Sequence, residues 1–335
     1  MSIKNKYWWV LAILIIAISC LFFIKSTQNK SIIVSPATSV LVKKCPDGFI
    51  KFNNICVMKY DAKCTNTNPK CVTSEGVYKN DAPGCACMGS YHVVSKADGA
   101  PITYIPEDDG SGTSTKAYCE NLGWHLMTNP EWMQIANDVA SVPANWCDRD
   151  GTNCGNAPGT VGKILANGHN DSSPNKALPA GPDNLPCFQT VSSGPNACGE
   201  KGSQKRTLQL SNGEIIWDFA GNVWQWVDAT ISRMNEPRTI IPGEGNYRWT
   251  WGEFITVPEN FNYSPPNRSW DSKNGVGRIY HYNSIGDTDA TLYTYIRGGN
   301  WRHGEDSGAF TIHMQPIPGK TGIDDVGFRC ATSPI

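Results

Sequence analysis

A stretch of chemically versatile side chains lies near the C-terminus, where residues 297–310 read RGGNWRHGEDSGAF. Arginine and aromatic side chains among polar residues are the composition of energetic hot spots in binding surfaces. Paired glycines precede the stretch and the segment GFRCA at 327–331 follows it, which suggests a rigid frame around a variable face. The sequence predicts a ligand-binding surface formed by Trp301, Arg302, His303, Glu305, Asp306, Phe310, His313 and Gln315.

A catalytic interpretation of this stretch lacks the usual residues. The chain contains no GxSxG, HExxH or P-loop motif, so the common signatures of hydrolases, zinc proteases and nucleotide-binding enzymes are missing. His303 and His313 lie in one segment and could share a metal ion, although two solvated histidines are the more common arrangement. An enzyme that uses such a metal is the alternative to a binding surface.

The composition predicts a loop-rich domain held together by aromatic side chains. The chain has 335 residues, with 32 glycines, 22 prolines and 12 tryptophans, a mix that disfavours a helical bundle. Its formal net charge is −1 and no basic run occurs, which argues against a nucleic-acid partner.

Two helices are the clearest regular elements, and both are predicted within residues 114–140. Ser114 or Thr115 can cap the first helix. Thr128 and Glu131 have the spacing of a capping box at the start of the second. The rest of the chain after this region is predicted to form short strands and loops.

The N-terminal residues predict a membrane anchor. Residues 7–24 are apolar apart from Ser19 and are about long enough to cross a bilayer as one helix. An uncleaved signal anchor is favoured over a cleaved signal peptide, because no small-residue cleavage site ends the run. Lipidation of Cys20 is disfavoured because the apolar run continues beyond it. We expect a single-pass cell-membrane protein with a cytoplasmic tail at 1–6, a stalk at 25–44 and an extracytoplasmic domain at 45–335.

The cysteines support an extracytoplasmic domain. Of the 13 cysteines, all but Cys20 follow the apolar segment, and disulfides persist only in oxidising compartments. No CxxC pair occurs, which argues against a zinc site. Local disulfides are predicted for Cys45–Cys56, Cys147–Cys154 and Cys187–Cys198. The pairing of Cys64, Cys71, Cys85 and Cys87 in the Cys-rich insertion at 64–90 stays open.

Four segments occur in an order that is typical of one family. They are VMKYDAK (57–63), LGWHLMTNPEWMQIA (122–136), IIWDFAGNVWQWVD (215–228) and YIRGGNW with GFRCA (295–331). Together they resemble the sulfatase-modifying-factor family, whose founding member is the formylglycine-generating enzyme. The resemblance spans residues 45–335 and implies an irregular, loop-rich α+β domain with a C-type lectin-like fold. It also implies a disulfide between Cys119 and Cys330.

The chain departs from the family's oxidases at their catalytic cysteines. Those enzymes bind copper through two cysteines that closely follow the GGxW motif, because thiolates suit Cu(I). No cysteine occurs here between Cys198 and Cys330, so we expect no copper site. This predicts a non-catalytic binding module for a protein or glycan ligand. The alternative is a formylglycine-generating-type or other metal-dependent oxidoreductase with a relocated site.

The same segment also resembles retroelement-diversified variable proteins of this fold, which vary at Asn codons. Changes at adenines alone convert an Asn codon into one for Arg302, His303, Asp306 or His313. They do not produce Glu305 or Gln315, so the pattern fits this group only in part.

A calcium site is a further implication of the resemblance. Family members bind calcium around the segment that matches WDFAGNVWQW. The ligands here would be the Asp218 side chain, the Gly221 and Val223 carbonyls, and Gln225, all of which offer oxygen to a hard cation. Gln225 stands where the family usually has Glu, which should weaken binding. The alternative is that Asp218 and Asn222 are turn residues that bond their own backbone.

Overall fold

The computed structural model describes residues 44–65, 68–87, 91–110, 112–190, 204–232, 235, 250–257, 259, 261–281, 292–314 and 323–335. These residues belong to one compact unit that spans 43–335. Its strands are β1 (Phe49–Phe52), β2 (Ile55–Met58), β3 (Ala62–Cys64), β4 (Tyr78–Lys79), β5 (Val93–Ser95), β6 (Ile102–Thr103), β7 (His125–Leu126), β8 (Trp146–Cys147), β9 (Ile164–Leu165), β10 (Thr207–Gln209), β11 (Ile215–Trp217), β12 (Trp224–Ser232), β13 (Thr250–Gly252), β14 (Ile279–His281), β15 (Leu292–Arg297), β16 (Ile312–Met314), β17 (Val326–Phe328) and β18 (Cys330–Thr332). The α-helices are α1 (Thr115–Glu120) and α2 (Asn129–Ser141).

Both helices begin at the predicted caps. Ser114 Oγ accepts a hydrogen bond from the Ala117 backbone N–H at 3.2 Å at the start of α1. At the start of α2 the capping box is formed, since Thr128 Oγ1 accepts from Glu131 N and Glu131 Oε2 accepts from Thr128 N. The apolar face of α2 is buried, with Trp132 stacked on the Phe219 ring at 3.9 Å between centroids. Local sequence therefore determines both helix starts.

The expected α+β fold class is wrong, because the described residues form mostly strands and loops. The two α-helices among them have only six and 13 residues. The frequent glycines and prolines explain the difference, since both residue types interrupt helices and allow tight turns. The class is better described as a mostly β, loop-rich fold.

The predicted membrane anchor and single-pass location are also corrected. Within the part of the chain that the structure describes, no helix is long and apolar enough to cross a membrane. The predicted span at 7–24 lies outside the described residues. The disulfides of the described part fit an extracellular or secreted protein.

A six-stranded sheet forms the centre of the described structure, in the order β13-β14-β16-β15-β12-β17. Two of its pairs, β12 with β17 and β14 with β16, are parallel, and the others are antiparallel. A four-stranded sheet, in the order β1-β2-β18-β7, joins the hairpin near Cys45 to the chain end. Neighbouring strands of the central sheet therefore come from distant parts of the sequence.

The two faces of the central sheet pack into different clusters of buried side chains. Trp226 pairs with Ile296, and both belong to one cluster. The next residues along the strands, Val227 and Tyr295, also pair but belong to the other cluster, into which α2 packs. This alternation follows from the two-residue period of a β-strand. The sheet thus separates two hydrophobic cores.

Disulfides close both short and long loops. The bridges with both partners described are Cys45–Cys56, Cys64–Cys87, Cys71–Cys85, Cys119–Cys330 and Cys147–Cys154. Three of them are the pairs that the sequence analysis expects, and the other two settle the pairing within the Cys-rich insertion. Cys187 is also disulfide-bonded, whereas its predicted partner Cys198 lies outside the described residues.

Candidate functional site

Arg297 anchors the segment that was predicted to bind a ligand. Its guanidinium is buried and donates to Asn129 Oδ1, at 2.8 Å from Nε and 2.6 Å from Nη2, and to the Phe310 carbonyl at 2.9 Å. Burial lowers the pKa of Arg297 to about 9, so the side chain stays charged at neutral pH. Arg297 therefore ties β15 to α2 and to the residues that follow the candidate segment.

The glycine pair after Arg297 allows a tight turn beneath the segment. Gly298 and Gly299 have φ values of 89° and 79°, a region that glycine adopts without strain. A Cβ at Gly299 would lie 2.3 Å from Ser307 Oγ, so no larger residue fits there. Asn300 then donates from its side-chain amide to Asp325 and accepts from the Arg302 backbone N–H at 2.9 Å. These contacts thus fix the backbone of the segment that carries Arg302 and Glu305.

Arg302, Gly304 and Glu305 form one wall of a cleft of about 420 Å³. The other walls come from loops near residues 149, 170 and 273. Its charged lining residues are Arg149, Asp171, Lys273, Arg302 and Glu305, and its amide and hydroxyl lining residues are Asn167, Asn170, Ser172 and Ser272. The lining is therefore polar, and it combines three distant loops with the predicted segment.

An ion pair crosses the rim of this cleft. Arg149 Nη1 lies 2.9 Å from Glu305 Oε1, and each side chain is about half exposed. Arg149 Nη2 also donates to the Lys273 carbonyl at 3.4 Å. Because solvent screens such a pair, it contributes little stability and can exchange with an external partner.

Arg302 occupies the opposite side of the same wall. Its guanidinium lies 4.8 Å from the centre of the Trp301 ring and 3.5 Å from Asp325 Oδ2. Burial raises the pKa of Asp325 to about 6, and the neighbouring Asp324 adds to the shift while Arg302 opposes it. Arg302 is thus oriented by a stacked ring and a mostly buried carboxylate while its side chain stays exposed.

The floor of the cleft is a network of amide side chains. Gln204 Nε2 donates to Asn170 Oδ1 at 2.7 Å, and the Asn170 carbonyl accepts from the Gly304 backbone N–H at 2.7 Å. Asn167 Nδ2 donates to the Ser307 carbonyl at 3.3 Å. Asn167 Oδ1 is buried and has no hydrogen-bond partner among the described residues. Buried amide contacts therefore hold the floor in place.

The structure places the seven described members of the eight predicted binding residues in different environments. Arg302 and Glu305 line the cleft. Asp306 points away from it, because its carboxylate pairs with Arg278 at 2.9 Å. Burial raises the pKa of Asp306 in that position. Gln315 lies outside the described residues.

Three of the predicted binding residues are core residues instead. Trp301 is 1% exposed, Phe310 is fully buried and His313 is 7% exposed, so none of them forms a surface. Trp301 donates from its indole N–H to Asn175 Oδ1 at 3.2 Å, and Phe310 packs into the cluster beside α2. Their position in a polar segment concealed this burial, because a loop has no regular period that distinguishes inward from outward residues.

His303 belongs to an aromatic cluster and not to the cleft. Its ring lies 5.3 Å from Trp224 and 5.4 Å from Trp251, measured between centroids. Burial, helped by the charge of Arg302, lowers the pKa of His303 to about 4. Its Nδ1 is buried without a hydrogen-bond partner among the described residues. His303 is therefore neutral at physiological pH and serves as a packing group.

The proposed metal site at His303 and His313 has little support in this geometry. His313 packs on Trp224 at 5.7 Å and on Tyr280 at 4.6 Å between ring centroids. Among the residues whose placement is described, no group of three or more His, Cys, Asp or Glu side chains could hold a metal ion. The cluster is consistent with a packing role for both histidines.

Both side chains predicted to bind calcium, Asp218 and Gln225, are engaged with arginines. Arg206 donates to both oxygens of the Asp218 carboxylate, at 2.7 Å from Nε and 2.6 Å from Nη2. Gln225 Oε1 accepts from Arg329 Nε at 2.6 Å. Asp218 and Asn222 have positive φ values of 52° and 63°, as turn residues do. These oxygens do not fit calcium here, because the ion would have to displace two guanidinium contacts.

A buried charge network lies behind this segment, and the sequence did not predict it. Arg329, from the segment GFRCA, donates to Asp61 Oδ1 at 2.8 Å and to the Met58 carbonyl at 3.0 Å. Burial raises the pKa of Asp61 to about 6, with Arg329 opposing the shift. Burial also lowers the pKa of the nearby Lys63 to about 8. The residues of VMKYDAK and GFRCA thus have a structural function.

Three lining residues of the cleft were also missed. Arg149, Asp171 and Lys273 lie in separate loops, and no motif marks any of them as part of a site. Only the tertiary fold brings them to residues 302–305.

Comparisons with known proteins identify no family for this chain. No family model matches the chain and no curated protein matches it, so membership of the sulfatase-modifying-factor family is not supported. Among solved structures, the Major Tropism Determinant U1 Variant is a distant neighbour with 13% sequence identity and a TM-score of 0.33. The match covers 87% of this chain and 54% of that protein, so this chain spans about half of its length. A likeness this weak carries no argument about function.

Proposed function

We propose that this protein is a recognition module that binds its ligand in the cleft between Arg149, Lys273, Arg302 and Glu305. The observation that carries the proposal is the convergence of Arg302, Gly304 and Glu305 with three separate loops on a cleft of about 420 Å³. This volume lies within the range of small-ligand sites, which is about 300–1,000 Å³. The buried contacts of Arg297 and Asn300 support such a role, because binding loops need a rigid frame.

The lining favours binding over catalysis. The described lining contains two serines, Ser172 and Ser272, but no histidine that could act as the base that commonly activates a serine nucleophile. The charged pair Arg149–Glu305 is about half exposed, which suits exchange with a ligand more than proton transfer. Glycans and proteins are both candidate ligands, and the disulfides favour a ligand met in an oxidising compartment.

A binding screen with matched variants tests the proposal. The full-length protein would be applied to a printed panel of neutral and acidic oligosaccharides and of neutral and acidic peptides. We expect at least one class to bind, and Arg149→Ala combined with Arg302→Ala to abolish that signal. The control combines Lys51→Ala with Lys70→Ala, which also removes two positive charges but at exposed positions outside the cleft lining.

The control variant should bind like the wild type, and both variants should retain the wild-type melting temperature, since exposed substitutions cost little stability. Binding that survives the Arg149 and Arg302 substitutions would contradict the placement of the site. Oxidation of a cysteine-containing peptide by the purified protein would instead favour the enzymatic alternative.

A further inference from the structure

We infer that the cleft selects an acidic saccharide, whose carboxylate takes the place of Glu305 on Arg149. The inference rests on the proposed function, because it names the ligand class of the same cleft. It depends on three features of the lining. They are the excess of cations, the exchangeable Arg149–Glu305 contact, and the polar side chains that can bond the hydroxyls of a sugar.

The lining carries more positive than negative charge. Three cations (Arg149, Lys273 and Arg302) face two carboxylates (Asp171 and Glu305), which leaves an excess of one positive charge (3 − 2 = 1). A concave site lined by one excess sign of charge attracts ligands of the opposite sign. The cleft is therefore suited to a ligand with a negative group.

The Arg149–Glu305 contact shows where that negative group would bind. Arg149 uses Nη1 for Glu305 at 2.9 Å, while Nη2 makes only a long 3.4 Å bond to a carbonyl. A guanidinium can bind a carboxylate with two parallel hydrogen bonds, which is stronger than one contact. A ligand carboxylate can thus replace Glu305 with a better geometry, at the cost of a solvent-screened pair.

The remaining lining groups offer partners for sugar hydroxyls. Ser172 is exposed and Asp171 is half-buried, and both side chains belong to the lining of the cleft beside the three cations. A hydroxyl and a carboxylate near a guanidinium that can take up a ligand carboxylate match the groups of an acidic saccharide.

A pair of ligands that differ in one group tests this inference. Isothermal titration calorimetry of the full-length protein would compare methyl glucuronide with methyl glucoside, which has a hydroxymethyl group in place of the carboxylate. We expect the glucuronide to bind at least about tenfold more tightly, and Arg149→Ala to remove that preference. The preference should weaken as salt is added, because the contacts are exposed.

Glu305→Gln gives a second, independent readout. It removes the competing carboxylate while keeping the size of the side chain, so we expect glucuronide binding to tighten by about threefold or more. Glu214→Gln makes the same charge change at an exposed position outside the cleft lining and should leave binding unchanged.

Several results would overturn the inference. Equal binding of glucoside and glucuronide would do so while leaving a cleft-binding function intact, provided that Arg149→Ala with Arg302→Ala still abolishes both. Tighter binding of a capped tetraglutamate peptide than of the glucuronide would reassign the cleft to acidic peptides. No binding of the glucuronide would also reject the acidic saccharide, and the panel screen would then show whether the cleft binds anything else.

Discussion

At the scale of single residues, Arg329 and Asp61 form a contact that the fold depends on. Both side chains are buried, and Arg329 Nη2 lies 2.8 Å from Asp61 Oδ1. Removing one partner of a buried pair leaves an uncompensated charge, which typically costs about 3–5 kcal/mol. We predict that Asp61→Asn lowers the free energy of unfolding by about this amount, measured by urea denaturation.

The matched control for Asp61→Asn is Asp98→Asn. Asp98 pairs with Lys96 at 3.7 Å, and its side chain is 80% exposed, so its loss should cost less than about 1 kcal/mol. Equal effects of the two substitutions would show that the buried network has no special role in stability.

His303 should make stability depend on pH. Its folded-state pKa is about 4, below the value of about 6.5 for an unperturbed histidine. Between these values the unfolded chain binds a proton that the folded protein excludes, so stability falls as pH falls through this window. We predict a loss of up to roughly 3 kcal/mol between pH 6.5 and 4, relative to His303→Phe.

The measurement is urea denaturation of both proteins across that pH range, because the difference between them isolates His303 from other titrating groups. His92→Phe is the matched histidine substitution at an exposed position. A constant difference between wild type and His303→Phe across the window would mean that His303 is not held neutral by its aromatic surroundings.

At the scale of elements, the capping box fixes where α2 begins. Thr128 Oγ1 accepts from Glu131 N at 3.4 Å, and Glu131 Oε2 accepts from Thr128 N at 2.9 Å. Loss of such a cap costs about 1 kcal/mol. We predict that Thr128→Ala lowers the unfolding free energy by that amount, whereas Thr160→Ala, at an exposed loop position, changes it by less than about 0.5 kcal/mol. Similar urea midpoints for these two variants would contradict a stabilising cap.

Local elements were the ones that could be predicted from sequence. The caps of both helices and the Cys45–Cys56 bridge join residues close in the chain, where spacing alone defines the contact. The order of the central sheet could not be predicted, because β13 and β14 are three-residue strands without a distinctive alternation. Their pairing aligns Trp251 with Tyr280, and Tyr280 with His313 of β16.

Only the charged, exposed residues of the candidate site could be predicted from the sequence. Arg302 and Glu305 are charged residues in a Gly-rich segment, and they do reach the cleft. Phe310 lies in the same polar context but is buried, because the chain turns inward after Ser307. Arg149 and Lys273 could not be found, since their proximity to Arg302 depends on the packing of loops far apart in sequence.

At the scale of the whole molecule, the charge of the cleft differs in sign from the charge of the chain. The protein has a formal net charge of −1, whereas the cleft lining has an excess of one positive charge. Two carboxylates outside the lining have arginine partners: Asp306 pairs with Arg278, and Asp325 lies 3.5 Å from Arg302. The fold thus concentrates a local positive field in a nearly neutral protein, which suits an acidic ligand.

A disulfide that closes a longer loop should stabilise the fold more than one that closes a shorter loop. Cys119–Cys330 joins α1 to β18 across a sequence separation of 211, whereas Cys147–Cys154 spans a separation of seven. Loop-closure entropy gives roughly 5 kcal/mol for the long bridge and roughly 2 kcal/mol for the short one. We predict that replacing both cysteines of the long bridge by Ala lowers the urea midpoint much more than the same change at the short bridge. Cys119 and Cys330 are also fully buried, so lost packing should add to the entropic effect. If the short bridge has the larger effect, the chain end is held by β18 pairing with β2 and β7 and not by the disulfide.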